Sequence, residues 1–151
     1  MKTTDFLSQE AIVLDIKACD KESAIKEMVQ VLVKMKKLNN AAEAIDLLMQ
    51  REKLGSTGIG QGVAIPHTRC DFIKEQVAVL AFSKKGVEFN ALDSGPVNIL
   101  FLLLCPGSST GEHLQAMAKI SKLLKGKALR QALLEAKTTA DVLLLIQQAD
   151  A

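Results

Sequence analysis

VNILFLLLC, residues 97–105, holds one polar side chain, Asn98, in nine positions. A strand with one face in water alternates apolar and polar residues, because successive side chains point to opposite faces. A run this continuous instead needs cover on both faces, as a central strand of an α/β sheet receives. It is also far too short to cross a bilayer, which takes about 20 apolar residues as a helix. The stretch therefore predicts a buried central strand with helices packed on its sheet.

The flanking sequence supplies those helices. Residues 106–110 read as a loop, and Ser109 followed three residues later by Glu112 is a capping-box pattern that opens a helix. Its apolar face is expected to comprise Leu114, Met117, Ile120, Ser121 and Leu124. Two more helical segments follow, near 128–136 and 139–148, the last started by Thr139 and Asp141. Upstream, residues 76–82, QVAVLAF, read as a strand, with Lys84, Lys85 and Gly86 as a turn behind it. Residues 11–16, AIVLDI, form a short β-prone run. Asp20 then suits the N-cap of an amphipathic helix to about Lys37, in which Ala24, Ile25, Met28, Val29, Leu32 and Met35 recur at helical spacing. Asn39 and Asn40 break it, and a second helix runs from Ala41 to about Glu52. Strands mixed with helices predict an α/β fold, and the absence of repeats or linkers predicts one domain spanning residues 1–151.

Composition narrows the function. Apolar residues make up 48% and charged residues 24%, the balance of a globular protein, and with five Phe and no Trp or Tyr the core must be aliphatic. The N-terminus lacks the apolar centre of a signal peptide, so a cytoplasmic protein without membrane insertion is expected. Three widely spaced cysteines fit reduced thiols, with Cys19 and Cys105 expected as small core residues. A zinc site can be drawn from His67, Cys70, Cys105 and His113, but the two close ligand pairs of a structural zinc site are lacking, so no metal is expected. Net charge is +2 and no aromatic residues interleave the lysine clusters, which favours solvated helix faces over nucleic-acid binding.

Residues 55–67, GSTGIGQGVAIPH, contain four of the nine glycines and one of the two histidines. A Walker loop ends in Gly-Lys-Ser/Thr, whereas Val63 and Ala64 follow Gly62 here. A dinucleotide fingerprint runs from strand through glycines to helix, and this chain runs from helix through glycines to strand. Nucleotide binding is disfavoured on both counts. On the glycines alone, an ordinary turn and a loop whose amides converge on an anion both remain.

His67 changes the weighing. Pro66 restricts the backbone before it, and a neutral imidazole has a free nitrogen able to attack phosphorus. His113 lies in the first turn of its helix, toward the buried face, where the helix N-terminus favours an anion. Each histidine could instead be a hydrogen-bonded structural residue; in the functional reading the two rings meet.

The run REKLGSTGIGQGVAIPH, residues 51–67, resembles the active-site signature of the fructose/mannitol-type enzyme IIA domains of the bacterial phosphoenolpyruvate phosphotransferase system, most closely the nitrogen-regulatory branch. The similarity extends through the strand at 76–82, DSGPVNILFLLL and EHL at 112–114. It implies a mixed β-sheet flanked by α-helices. It also implies that His67 accepts a phosphoryl group from an HPr-type phosphocarrier, with His113 as supporting histidine and Arg51 as the signature arginine. Ser56, Thr57 and the loop amides, with Gly58 and Gly60, would line the phosphate pocket. Thr68 departs from the small residue often found after the histidine. Arg69 is a further candidate for anion contact, with a solvated surface arginine as the alternative. No metal, nucleotide or other cofactor is implied. Downstream, the resemblance implies either regulation of a target protein, of nitrogen or potassium type, or transfer to a IIB transporter component. A binding module for an anion or peptide, without the chemistry, is the third possibility.

Overall fold

The computed structural model describes residues 1–108 and 110–150. Six strands form one mixed sheet: β1 (Ile12–Val13), β2 (Gly58–Gly60), β3 (Val63–Ala64), β4 (His67–Cys70), β5 (Val77–Val87) and β6 (Val97–Pro106). Five α-helices accompany it among the described residues: α1 (Lys21–Lys34), α2 (Ala41–Lys53), α3 (Thr110–Lys125), α4 (Lys127–Glu135) and α5 (Thr139–Asp150).

β6 is the spine. β5 pairs with it antiparallel along one side, while β3 and then β4 pair with it parallel along the other. Every residue from Ile99 to Pro106 is buried, so both faces of the strand are covered, as its apolar run requires. α1 packs on β5 and α2 on β4, while α4 reaches β6 and α5 reaches β1. The Asp20 carboxylate accepts from the Ser23 amide at 2.9 Å, the N-cap that the sequence predicts.

Local departures have local causes. The strand expected at 11–16 is only two residues long, because the chain bends at Leu14 and Asp15. Lys84, Lys85 and Gly86 do not turn the chain back. The register jumps between Phe82 and Val87, so these residues bulge within β5. The Asn98 amide donates to the Ser83 carbonyl at 2.8 Å, and the Ser83 hydroxyl accepts from the Gly86 amide at 3.1 Å, which holds the bulge closed. The lone polar residue of the central run thus has a structural task.

In α3 the buried positions are Ala116, Ile120 and Leu124; Leu114 and Ser121 are exposed, which corrects the expected face by a fraction of a turn. Ser109, the proposed cap, lies outside the described residues. Cys19 is exposed rather than in the core, whereas Cys70 and Cys105 are buried.

Candidate active site

β4, like β2, is an element that periodicity missed. Val63–Ala64 pairs with Ile99 and Leu100, and His67–Cys70 resumes the same parallel edge opposite Leu103–Pro106. Between the two, the Pro66 carbonyl accepts from the Leu103 amide at 2.9 Å. Pro66 lacks an N–H but keeps this acceptor, so the ladder crosses it and His67 emerges at a fixed register position. HTRC gave no strand signal because it carries no apolar–polar alternation: His67, Thr68 and Arg69 all line the cleft and only Cys70 is in the core.

His113, in the first turn of α3, meets that position from the far end of β6. The two imidazole rings lie 5.5 Å apart, centroid to centroid, inclined at 41°. They line a cavity of about 330 Å³ together with Arg51, Thr68, Arg69, Thr110 and Leu114. The Arg69 guanidinium reaches Thr110 Oγ1 at 3.2 Å, tying β4 to the N-terminus of α3. Arg51, in the last turn of α2, donates to the Gly55 carbonyl at 2.9 Å.

The protonation of His67 follows from its partner. Nδ1 lies 2.6 Å from the Ile65 carbonyl oxygen, which can only accept, so Nδ1 carries the proton and Nε2 carries the lone pair. Burial lowers the His67 pKa below the usual imidazole value, the Ile65 hydrogen bond opposes this, and the Arg51 charge lowers it further. His113 is also lowered, first by burial and then by His67 and Arg69. Both rings are therefore held in the neutral form near pH 7.

The glycine loop does not join this cavity. Glu52, buried at the end of α2, accepts from the Thr57 amide at 3.1 Å and from the Thr57 hydroxyl, and pairs with Lys21 Nζ at 3.0 Å. Lys21 in turn lies over the Phe89 ring, 5.0 Å from its centroid. The Ser56 hydroxyl donates to the Phe89 carbonyl at 2.8 Å and accepts from the Gly58 amide at 3.0 Å. The Gln61 amide donates to the Asp93 carboxylate at 3.1 Å. Gly58 and Gly60 are buried, and a Cβ on Gly58 would sit 2.9 Å from Ala91 Cα. Of the residues expected around a phosphate, then, Arg51, His67 and His113 converge. Ser56, Thr57, Gly58 and Gly60 instead build the scaffold behind them, and the anions that their loop holds are the protein's own carboxylates.

Several cavity residues were not legible beforehand. Thr110 read as the end of a loop, and Leu114 read as core. Behind the cavity, Gln76 carried no signal and Cys105 figured only in the disfavoured zinc set; the β5–β6 register brings them together, with the Cys105 sulfur against His113.

Two neutral imidazoles, two guanidinium groups and a helix N-terminus around one small cleft suit a protein through which a phosphoryl group passes by way of histidine. Residues 5–149 match the model of the family described as phosphoenolpyruvate-dependent sugar phosphotransferase system, EIIA 2, and the chain belongs to that family. It is a phosphotransferase component, an intermediate of phosphoryl transfer. It is 35% identical over 150 residues to the fructose-specific EIIABC component of Bacillus subtilis, matching 99% of this chain but spanning only 24% of that longer protein. It is 34% identical to the nitrogen regulatory protein of Bradyrhizobium diazoefficiens, covering 88% of this chain and 86% of that one. The fold is similar to the crystal structure of nitrogen regulatory protein IIA-Ntr from Neisseria meningitidis, with a TM-score of 0.88, 34% identity and coverage of 94% and 97% of the two chains.

Proposed function

We propose that His67 Nε2 accepts the phosphoryl group from the phosphohistidine of an HPr-type carrier protein, and that the phosphorylation state then regulates partner proteins, of nitrogen or potassium type, in the cytoplasm. The observation that carries this reading is the Ile65 carbonyl on Nδ1, which leaves the nucleophilic lone pair on the nitrogen across the ring. In the transfer, the nitrogen–phosphorus bond to the carrier ring breaks as the bond to Nε2 forms, while the proton stays on Nδ1, donated to the Ile65 carbonyl. Catalysis by the protein is then alignment and charge: the Arg51 and Arg69 guanidiniums meet the equatorial oxygens, and α3 presents its N-terminus.

The experiment is incubation with phosphoenolpyruvate, enzyme I and phosphocarriers. Acid-labile label on His67 is expected, absent in His67→Ala; no uptake from any cognate carrier, or equal uptake by the variant, overturns the relay.

The 35% identity to a fructose-specific component supports a second reading, in which phosphate passes on to a IIB partner. A solved complex of enzyme IIAMTL with phosphorylated enzyme IIBMTL, from Escherichia coli, has this fold, with a TM-score of 0.80 at 23% identity. Efficient transfer from the phosphorylated chain to a fructose- or mannitol-type IIB favours transport over regulation. Among the described residues no helix is long and apolar enough to cross a membrane.

A further inference from the structure

Behind His113 lies a chain of polar contacts for which the relay reading has no use. His113 Nδ1 is 3.0 Å from Cys105 Sγ, and that sulfur is 3.2 Å from Gln76 Oε1. Cys105 is fully buried, and burial, with the neighbouring Cys70, pushes its thiol up to about 12, so the sulfur keeps its proton. A thiol has one proton to give, and the Gln76 carbonyl oxygen can only accept it. The sulfur is then left as the acceptor, and Nδ1 of His113 as the donor. Antiparallel register sets this up: Val77 faces Leu104, which brings Gln76 opposite Cys105, at the end of the strand from which α3 departs.

The consequence lies across the ring. With its single proton on Nδ1, neutral His113 keeps a lone pair on Nε2, and so does His67, whose ring centroid lies 5.5 Å away. Two lone pairs tolerate each other in an empty cleft. A phosphoryl group on His67 brings oxygens that only accept, and a bare Nε2 cannot donate to them.

We infer that Gln76 and Cys105 are positioning residues that keep the His113 proton on Nδ1, so that phosphorylation of His67 draws a second proton from solvent onto His113 Nε2, where it donates to the phosphoryl oxygens. This rests on the relay proposed above. The charged and titratable groups around His113 are His67 and Arg69 from β4, Arg51 from α2, Cys105 from β6 and Glu112 in its own first turn. Before transfer, burial, His67 and Arg69 all disfavour an imidazolium here. The incoming negative charge reverses the balance. The phosphorylated form then stores a proton that must leave when phosphate does, which couples the relay to pH at a residue that forms no bond to phosphorus.

The test is histidine ¹⁵N NMR on the full chain, in two arms. In the unphosphorylated protein, His113 is expected as the Nδ1–H tautomer. Gln76→Leu frees the thiol proton to turn toward Nδ1 and shifts the population to Nε2–H, while Cys105→Ser retains the wild-type tautomer. A wild-type Nε2–H tautomer, or one unmoved by Gln76→Leu, overturns the positioning role. This arm needs no phosphorylation and stands whether or not the relay is right. In the second arm, phosphoramidate serves as a small phosphoryl donor. The His113 titration midpoint is expected to rise by about one pH unit or more, the usual effect of an opposite charge a few Å away. His67 labelled with no rise overturns the proton coupling, and His67 left unlabelled overturns the relay and the coupling with it.

Discussion

Within residues 55–67 the glycine half is bonded to the protein's own polar side chains, whereas His67 at the other end faces the cleft. In the first half nearly every group that could hold an anion is already bonded: the Thr57 amide to Glu52, the Gly58 amide to Ser56, the Gln61 amide to Asp93. In the second half His67 bonds through one nitrogen only, and among the described residues nothing occupies the other. A glycine-rich, hydroxyl-rich loop beside a histidine proposed to accept phosphate therefore need not touch phosphate. It can act one step back, as the frame that fixes where the histidine emerges.

That contrast is open to mutation. The largest effect belongs to His67→Ala, which should abolish acid-labile labelling while leaving the unfolding midpoint nearly unchanged, since the lost ring stands at a cleft. Next is Glu52→Ala. It removes the partner of Lys21 and both acceptors of Thr57, and the loss of one member of a buried ion pair costs about 3 kcal/mol. Urea denaturation should show this, with labelling of the folded fraction retained. If Glu52→Ala left stability intact and stopped labelling, the loop would belong to the site after all.

Gly58→Ala should cost about 2 kcal/mol, the usual range for a methyl forced into a packed position, because its Cβ would meet the Ala91 backbone. Smaller again is Arg69→Ala. The arginine is exposed, so its loss should slow phosphotransfer about tenfold, less than the hundredfold or more seen when a buried oxyanion donor is removed. Single-turnover transfer from a phosphocarrier measures this, and an unchanged rate would return Arg69 to the solvated surface.

What could be read from the sequence divides along the same line. The continuous apolar run of β6, the Asp20 cap and the helical spacing of α1 are local signals, and each appears where expected. The pairing of His67 with His113 rested on motif order and on the short loop after β6, and the rings do meet. That the loop residues bond away from the cavity was not legible, because Ser, Thr and Gly announce hydrogen-bonding capacity without saying which partner answers it. Glu52 was the missing clue: it shares the buried face of α2 with Ala44 and Leu48 at four-residue spacing, but its charge argued for solvent. β4 and the Gln76–Cys105 contact escaped for a related reason: both depend on register along β6, which only the paired strands display.

The smallest expected effect is also the one that joins the two halves, because it reads stability and chemistry from the same rings. Both histidines have folded pKa values below the ordinary value, chiefly through burial. Between those depressed values and the ordinary imidazole value of about 6.5, the unfolded chain binds more protons than the folded one, so stability rises with pH across that window. Acidification below about 6.5 should therefore lower the urea midpoint, and a His67→Gln, His113→Gln double variant should flatten that part of the curve. Phosphoryl acceptance has the opposite tolerance: His67 keeps its lone pair below the ordinary value and loses it only as the pH falls through its own depressed one. Acceptance should thus persist at a pH where stability has begun to fall. Were the two to decline together, from near the ordinary imidazole value, His67 would be too well solvated for the burial that shapes its chemistry.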